Sequence, residues 1–374
     1  FQLHMDNCLG CMACMTACPS GVEYSKLIEP TRAQMERNIP RKFSERIFRR
    51  FIFATFPHPK RLRVLAIPLR LYQRSGLRAL VRASGFLKIV PKRLAAMEAL
   101  LPEVPPRHAS PLYSITPKPI RKRVGMLSGC VQQVFFPHVN AATARVLAAE
   151  GCEVIVPTDQ ECCGALMLHS GLEADAAELA KKMIAAFEAA QVDTIAINSA
   201  GCGSTMKEYG YLLRDDQEWA ARAAAFSAKC RDISEVLSEL EPQAERHALN
   251  MRVAYHDACH LQHAQGVQKQ PRQLLAGIPG LEVAEIPESS LCCGSAGVYN
   301  LLQPDTANQL GARKAENLIS TGAEAVLSAN PGCLLQLMNG LRRQGIETMP
   351  AFHMVELLDA SIRGVAADEL LKGK

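Results

Sequence analysis

Several features that would indicate other classes of protein are scarce in this sequence. Aromatic residues make up 5% of the 374 residues, with a single tryptophan, and charged residues make up 21%. No window approaches 18 uninterrupted apolar residues, so the sequence predicts no membrane-spanning helix. There is no Gly-x-Gly-x-x-Gly after a strand, no Walker loop and no nucleophile elbow, and therefore no obvious flavin, nicotinamide or ATP site. Composition also excludes a collagen, a coiled coil and a disordered chain.

Cysteine, in contrast, is abundant: most of the 14 cysteines fall in clusters of the kind that bind metals. The first cluster is Cys8-x2-Cys11-x2-Cys14-x3-Cys18-Pro19. Three thiolates at every third residue can surround one iron–sulfur cube, and a cysteine before proline ligates the other cluster in two-cluster ferredoxins. Zinc usually takes two separated pairs of ligands, and this compact run lacks the second pair. The spacing therefore predicts a 4Fe-4S site.

This first run is incomplete by itself. Cys8, Cys11 and Cys14 need a fourth ligand, and Cys18 needs three companions. The chain opens Phe-Gln-Leu-His, without an initiator methionine. We therefore expect a matching cysteine run upstream of Phe1, so that the full-length chain holds two 4Fe-4S clusters.

Residues 29–118 contain no cysteine but carry a strong positive charge. Between residues 31 and 93 there are 17 Lys or Arg and only two acidic residues. Ser44–Phe56 and Leu62–Val81 have apolar residues at helical spacing and predict basic amphipathic helices. Without a nucleic-acid motif, a membrane surface or an acidic partner subunit fits this charge better, and solvated helix faces are the alternative. Prolines then predict an extended linker: Pro102, Pro105, Pro106, Pro111, Pro117 and Pro119.

The rest of the chain contains an internal repeat. Matching landmarks recur at offsets of 129, 130 and 131 residues: Cys130, Cys162-Cys163-Gly164 and Cys202, then Cys259, Cys292-Cys293-Gly294 and Cys333. Such register over this length indicates a duplicated domain. We predict four segments: a partial ferredoxin-type segment at 1–28, a basic helical segment with the linker at 29–118, and two Cys-Cys-Gly domains at 119–249 and 250–374.

Each copy is predicted to be α/β with a parallel sheet. The predicted strands are Val124–Leu127, Glu153–Val156, Thr194–Ile197, Arg252–Tyr255, Glu282–Ile286 and Ala325–Ser328. In the first copy, helices are predicted at Asn140–Glu150 and Leu172–Ala190. Each cysteine element follows a strand, and the carboxyl ends of parallel strands meet at one edge of a sheet. The cysteines of each copy are therefore expected to meet in one pocket.

Adjacent cysteines suit a multi-iron cluster, because neighbouring sulfurs can reach different irons. Gly164 and Gly294 would let the backbone bend under the metal. Zinc, loss of the metal in one copy, and ordinary buried cysteines are the alternatives. The segment 256–263, His-Asp-Ala-Cys-His-Leu-Gln-His, is interpreted either as groups around the second pocket or as structural histidines. Cys152 and Cys230 lie outside the pattern and are interpreted as packing residues.

The motifs also resemble those of a known family. In order they are CLGCMACMTACPSGVEY, LSGCVQ, ECCGA, NSAGCGSTMKEYG, HDACHLQHAQG, LCCGSAG and ANPGC. They resemble the iron–sulfur subunit of glycolate oxidase, within a wider family that includes iron–sulfur subunits for lactate oxidation, the anaerobic glycerol-3-phosphate dehydrogenase C subunit and heterodisulfide reductase B subunits.

The resemblance implies a relay beside FAD-binding subunits that oxidise glycolate to glyoxylate, with substrate bound on another chain. Cys8, Cys11 and Cys14 would hold one 4Fe-4S cluster, and Cys18 would complete the other. Electrons would pass to quinone at the cytoplasmic side of the bacterial inner membrane, through peripheral contact. A lactate or glycerol-3-phosphate complex is one alternative, and a non-redox scaffold that docks a flavoprotein is another.

One departure concerns the repeats. In heterodisulfide reductases each repeat ends in Cys-x-x-Cys, whereas here the positions three residues on either side of the last cysteine carry Ser199, Thr205, Asn330 and Gln336. Four thiolates per copy remain. A simpler iron–sulfur centre, zinc, or a quinone-side pocket without metal are therefore all open for the two copies.

Overall fold

The amino-terminal part of the chain is entirely helical. The computed structural model describes residues 1–105, 115–117 and 119–373. Before the first sheet the helices are α1 (Gln2–Asn7), α2 (Ala13–Ala17), α3 (Ser25–Asn38), α4 (Phe43–Thr55), α5 (Pro59–Arg74), α6 (Leu77–Ala83) and α7 (Lys92–Ala99), with a 3₁₀ turn at Phe86–Lys88. The predicted basic helices are present, but the second is divided between Arg74 and Leu77, where Ser75 and Gly76 end it.

Ion pairs attach the basic helices to the amino-terminal segment. Arg41, just before α4, contacts Asp6 at 3.0 Å, Glu36 at 2.5 Å and Glu45 at 2.8 Å. Arg49 is buried and lies 3.0 Å from Glu36. Part of the positive charge therefore has a structural use, because it holds α1, α3 and α4 together.

The ends of the proline-rich stretch pack against α5. Gln73 Nε2 donates to the carbonyl of Pro102 at 2.8 Å, and the amide of Val104 donates to Gln73 Oε1 at 3.0 Å. On the far side, Ile115 forms an antiparallel bridge with Val154. The predicted linker residues Pro106 and Pro111 lie outside the described residues.

The first repeat forms a four-stranded parallel sheet in the order β2-β1-β3-β4. Its elements are β1 (Lys122–Met126), α8 (Gln132–Phe135), α9 (Pro137–Ala149), β2 (Cys152–Ile155), α10 (Ala165–Leu168), α11 (Glu173–Ala189), β3 (Thr194–Ile197), α12 (Ala200–Lys207), α13 (Tyr209–Leu212), α14 (Ala220–Lys229), β4 (Cys230–Asp232) and α15 (Ile233–Ser238).

The second repeat forms a matching sheet in the order β6-β5-β7-β8. Its elements are β5 (Met251–His256), a π-helical turn at His260–Ala264, α16 (Lys269–Ala276), β6 (Leu281–Glu285), α17 (Tyr299–Leu302), α18 (Pro304–Ile319), β7 (Ala325–Ser328), α19 (Pro331–Arg343), β8 (Ala351–His353), α20 (Met354–Arg363) and α21 (Ala367–Lys372). The predicted duplicated α/β fold with parallel sheets is confirmed.

The fourth strand of each sheet was not predicted. β4 and β8 are three residues long and have too short a pattern to be recognised from sequence. In both sheets the first strand lies between the second and the third, so the direction of strand order reverses there. Loops that leave such a reversal point open a crevice at the carboxyl edge of the sheet.

The two repeats share a continuous apolar core. It includes Val139 and Leu147 of α9 together with Leu357 and Leu358 of α20. At its rim the Arg145 guanidinium donates to both oxygens of the buried Asp359, at 2.8 and 2.6 Å. No helix among the described residues is both long and apolar enough to cross a lipid bilayer.

Candidate metal centres

The cysteines of the first repeat come together at the carboxyl edge of its sheet. Cys130 follows β1, Cys162 and Cys163 follow β2, and Cys202 lies in the first turn of α12 after β3. The Sγ atoms of Cys130 and Cys162 are 3.3 Å apart, and the amide of Gly164 lies 3.4 Å from Cys162 Sγ. The prediction that this spacing brings the cysteine elements together therefore agrees with the geometry.

Hydrogen bonds among these thiols shift their pKa values in opposite directions. Contacts with Cys130 and then Cys163 lower the pKa of Cys162 well below its ordinary value. The same contact with Cys162, followed by burial, raises the pKa of Cys130, and contacts with Cys162 and Cys202 raise that of Cys163. The pKa of one thiol is thus lowered, whereas the pKa values of two of its neighbours are raised. The positive charge of a bound metal centre would stabilise the thiolate forms.

The second repeat builds the same arrangement. Cys259 Sγ lies 3.9 Å from Cys292 Sγ, and the amide of Gly294 lies 3.4 Å from that sulfur. All four of its cysteines are buried, and Asn330 Nδ2 approaches Cys333 Sγ at 3.4 Å. An N–H group aimed at sulfur favours the thiolate form, which is the form that binds metals.

The glycine after each cysteine pair is required by its surroundings. Gly164 has φ of +78° and Gly294 has φ of +91°, a region that side chains with a Cβ rarely adopt. A Cβ at Gly294 would lie 2.7 Å from the carbonyl oxygen of Ala307, and one at Gly164 would lie 3.2 Å from Ala176. The glycines therefore let each cysteine pair sit directly against a long helix.

The histidine-rich segment 256–263 has mixed roles. Asp257 is held by Arg272, with both nitrogen–oxygen distances 2.8 Å. The ring of His260 lies against that of His169 in a tilted arrangement with centroids 4.9 Å apart, and burial lowers the pKa of His260 to about 3. His263 Nδ1 lies 2.7 Å from Thr16 Oγ1. Much of the segment thus has a structural partner, as one of the two interpretations expected.

His256 is different, because it lies at the end of β5 inside the second cysteine group. One ligand atom each from His256, Cys293 and Cys333 lie within 4.8 Å of one another, and all three residues are buried. Burial, followed by the charge of Lys314, lowers the pKa of His256 to about 3, so its ring is neutral.

The two cysteine groups face each other across a shared cavity. Its volume is about 390 Å³, and cysteines of both repeats line it, among them Cys130, Cys202, Cys259 and Cys333. The loops after β3 and β7 meet there: Asn330 Oδ1 accepts from Ser199 Oγ at 3.3 Å, and the amide of Ala200 donates to the carbonyl of Ala329 at 3.1 Å. Sequence spacing gave no signal for this apposition.

The basic segment supplies the apolar wall of the same cavity. Its contributing side chains are Phe51, Phe56, Leu62, Leu65, Leu69, Met97, Leu100 and Leu101. Phe51 and Leu65 are also exposed at the protein surface. The cavity thus has cysteines at one side and an apolar wall that reaches the surface at the other.

The amino-terminal cysteines lie on a short loop between α1 and the end of α2. Cys8 follows α1, and Met12, in a left-handed conformation with φ of 61°, turns the chain into α2. The amide of Gly10 lies 3.4 Å from Cys8 Sγ. Burial raises the pKa of Cys11, and the neighbouring thiols Cys8 and Cys14 raise it further. This donor set of clustered thiols fits an iron–sulfur cluster.

Cys18 lies at the end of α2 and has other neighbours. Backbone amides of Val22, Ser20 and Gly21 lower its pKa. The residue is partly exposed, so its thiolate forms easily and remains accessible. This environment is compatible with the predicted role of Cys18 as a ligand to a different cluster.

The amino-terminal loop is seated on the second repeat, a contact that the sequence did not indicate. Thr16 Oγ1 lies 2.7 Å from His263 Nδ1, and, besides burial, the thiol of Cys259 contributes to the raised pKa of Cys11. Tyr299 donates to the carbonyl of Asn7 at 3.1 Å, and its hydroxyl pKa, raised mainly by burial, is raised further by Cys8 and Cys292. The predicted 4Fe-4S site and the second cysteine group are therefore direct neighbours.

The two cysteines outside the motifs are buried in apolar cores. Cys152 starts β2 and packs with Val154, and Cys230 starts β4 and packs with Phe226. Burial raises the pKa of both thiols. Both therefore have the environment of packing residues.

Comparison with known proteins identifies the domain types along the chain. Three family descriptions match the chain: "4Fe-4S binding domain" at residues 1–23, "Glycolate oxidase iron-sulfur subunit, linker region" at 44–101, and "Cysteine-rich domain" at 124–207 and 253–338. The basic helices thus belong to a described linker region, and both repeats match one domain type.

Two glycolate oxidase relatives match nearly the whole chain, and a lactate utilization relative matches about two thirds of it. The "Probable glycolate oxidase iron-sulfur subunit" of Bacillus subtilis is 42% identical over 95% of this chain and 81% of its own length. The "Glycolate oxidase iron-sulfur subunit" of Escherichia coli is 34% identical over 96% of this chain and 83% of its own length. "Lactate utilization protein A" of Exiguobacterium sp. is 30% identical over 64% of this chain and 98% of its own length. The chain belongs to the family of glycolate oxidase iron–sulfur subunits.

Proposed function

We propose that this subunit carries electrons from a flavin-binding partner subunit, which oxidises glycolate to glyoxylate, to a quinone at the cytoplasmic face of the bacterial inner membrane. The observation that supports this most is the seat of the amino-terminal cysteine loop on the second cysteine group. The second group in turn shares a cavity with the first. A relay needs redox centres that lie close to one another, and this packing brings the two cysteine sets close together.

We assign the amino-terminal cluster to Cys8, Cys11 and Cys14, with Cys18 serving a second 4Fe-4S cluster. The repeat centres are assigned to Cys130, Cys162, Cys163 and Cys202 and to Cys259, Cys292, Cys293 and Cys333. When bound, iron–sulfur clusters supply one-electron storage. The protein supplies thiolates, amide groups aimed at sulfur, and an apolar surround, all of which tune the reduction potential.

The cavity has the chemistry expected of a quinone site. Oxidation of a 2-hydroxy acid to a 2-oxo acid releases two electrons and two protons, and reduction of a quinone to a quinol takes up the same number. The apolar wall suits a quinone and its isoprenoid tail. His169 lies on the cavity wall with Nδ1 2.8 Å from Glu29 Oε1, so an ionisable pair is available beside the quinone head.

The outer face of the basic helices supports contact with a membrane. Val64, Ile67 and Leu71 lie on one face of α5 and are 65%, 59% and 69% exposed. Exposed basic residues such as Arg61 and Arg63 flank them. A helix with an exposed apolar face and basic flanks lies in the interface of an acidic bilayer. The apolar wall of the cavity belongs to this same segment, so the path of a quinone from the membrane to the cavity would be short.

The experiment is reconstitution of the full complex on vesicles that contain acidic phospholipid and quinone. The Val64→Gln/Ile67→Gln/Leu71→Gln variant should lose at least tenfold in glycolate-driven quinone reduction and in flotation with the vesicles. Reduction of a water-soluble dye should persist. An Ile120→Gln/Ile319→Gln variant, exposed elsewhere, is the matched control and should behave as wild type.

Three outcomes would contradict parts of the proposal. Full quinone reduction by the α5 variant would remove the membrane route. A full-length complex that contains zinc but no iron or acid-labile sulfide would favour the scaffold alternative over the relay. Lactate in place of glycolate as the effective donor would assign the chain to a lactate complex, in line with its similarity to lactate utilization protein A.

A further inference from the structure

His256 is a buried imidazole that has no hydrogen-bond partner for either ring nitrogen within the described part of the chain. It is 1% exposed and ends β5, three residues before Cys259. Buried polar atoms in folded proteins are nearly always paired, and an exception needs an explanation. Metal ligation provides one, because a neutral imidazole nitrogen is a common metal ligand.

The neighbours of His256 are metal ligands by chemical type. Its ligating nitrogen and the Sγ atoms of Cys293 and Cys333 lie within 4.8 Å of one another. With bonds of about 2.0 Å to nitrogen and about 2.3 Å to sulfur, the ligands of one tetrahedral ion lie about 3.5 to 3.8 Å from one another. A small closure of three side chains would therefore place all three atoms on one ion.

We propose that His256 is a ligand of the centre in the second repeat, together with Cys293 and Cys333. This inference rests on the proposed function, in which these cysteines hold a metal centre. The resulting centre is a mixed imidazole–thiolate site, with either an iron of an iron–sulfur cluster or Zn²⁺ as the bound metal. Both ions accept this ligand set.

The first repeat cannot build the same site. Its residue three positions before Cys130 is Leu127, which is buried and has no ligand atom. The first centre is therefore restricted to thiolates among the residues that the two repeats hold in register. Neutral imidazole ligation raises the reduction potential of an iron–sulfur cluster, as in Rieske centres. If both centres are iron–sulfur clusters, the second is therefore expected at the higher potential, whereas Zn²⁺ in either site would carry no electrons.

The test compares His256→Leu, which copies the first repeat, with His256→Cys and with a control, His260→Leu. His260 is also buried and follows Cys259, but it is not in the three-ligand group. All are prepared anaerobically as full-length chains in the complex. Metal and acid-labile sulfide are measured per chain, and ligand nitrogen is detected by pulsed EPR for iron or by X-ray absorption for zinc.

Wild type and His260→Leu should show one more metal-bound nitrogen than either His256 variant. His256→Leu should bind the metal of this centre at least tenfold more weakly. His256→Cys should retain the metal with sulfur in place of nitrogen. If the leucine variant does not fold, this variant alone tests whether residue 256 is a ligand. Iron with sulfide or zinc in the wild-type centre identifies the metal.

Failure of this inference is distinguishable from failure of the proposed function. If metal is present but no nitrogen is bound, and His256→Leu keeps the full metal content, the inference is wrong and the relay stands. If neither repeat holds metal in the wild-type complex, the assignment of the repeat centres fails as a whole.

Discussion

The two repeats have the same strand order and the same four cysteines, but they face different neighbours. The first lies under the basic helices: Ile52 and Phe53 share an apolar cluster with Cys130. The second carries the amino-terminal cysteine loop, through the contacts of Thr16 with His263 and of Asn7 with Tyr299. Duplication thus fixed the scaffold, and the added segments gave each copy a separate task. The proposed path enters at the second copy and leaves at the side of the first.

The largest effect is expected when the amino-terminal cluster, where electrons are proposed to enter, loses a ligand. Cys14→Ser should abolish glycolate-driven electron flow, at least 100-fold, because the amino-terminal cluster loses a ligand. A small chemical reductant should still reduce the repeat centres. Both are followed by optical and EPR spectra of the assembled complex.

Cys152→Ser serves as the control, because that buried cysteine in the first repeat belongs to neither group. It should keep electron flow in the complex that assembles. Normal glycolate turnover with Cys14→Ser would show that electrons do not pass through the amino-terminal cluster.

A smaller effect is expected on stability when the glycine after each cysteine pair is replaced, and it should differ between the two repeats. Gly294→Ala should lower the free energy of unfolding by about 3 kcal/mol and Gly164→Ala by about 2 kcal/mol. Both substitutions strain the backbone, and the new Cβ at position 294 also overpacks against Ala307. Denaturant midpoints of the two variants measure the difference. Equal midpoints, or a larger loss for Gly164→Ala, would mean that the second turn is not the tighter one.

The smallest effect concerns the ends of the fourth strands. Asp232 ends β4 and caps α15, and His353 ends β8 and caps α20, each in a capping box with a glutamate. Burial raises the pKa of Asp232 to about 6, above its ordinary value of 3.8. The folded state then binds the proton more tightly than the unfolded state, so stability falls as pH rises from about 4 to about 6.

Asp232→Asn keeps a capping side chain and removes this charge. It should stabilise the protein by about 1 kcal/mol at pH 7.5, and the gain should shrink as pH falls below 6. Thermal unfolding between pH 5 and pH 7.5 measures it. A gain independent of pH would rule out the buried charge as its cause.

Prediction from sequence reached furthest where the signal was local. The apolar runs predicted strands such as Thr194–Ile197 and Ala325–Ser328 at the observed positions. The cysteine register predicted two pockets, because the topology of a parallel sheet brings its loops together. β4 and β8 were missed because three residues carry little pattern, and the second basic helix was predicted too long because its break depends on Ser75 and Gly76.

The sequence by itself determined the family, the duplicated sheets and which cysteines belong together, since those depend on spacing along the chain. Only the tertiary structure decided that the two groups share one cavity, that the amino-terminal loop sits on the second group, and that His256 lies among its cysteines. These contacts join residues hundreds of positions apart, or side chains whose direction depends on packing. Spacing along the chain carries no record of either.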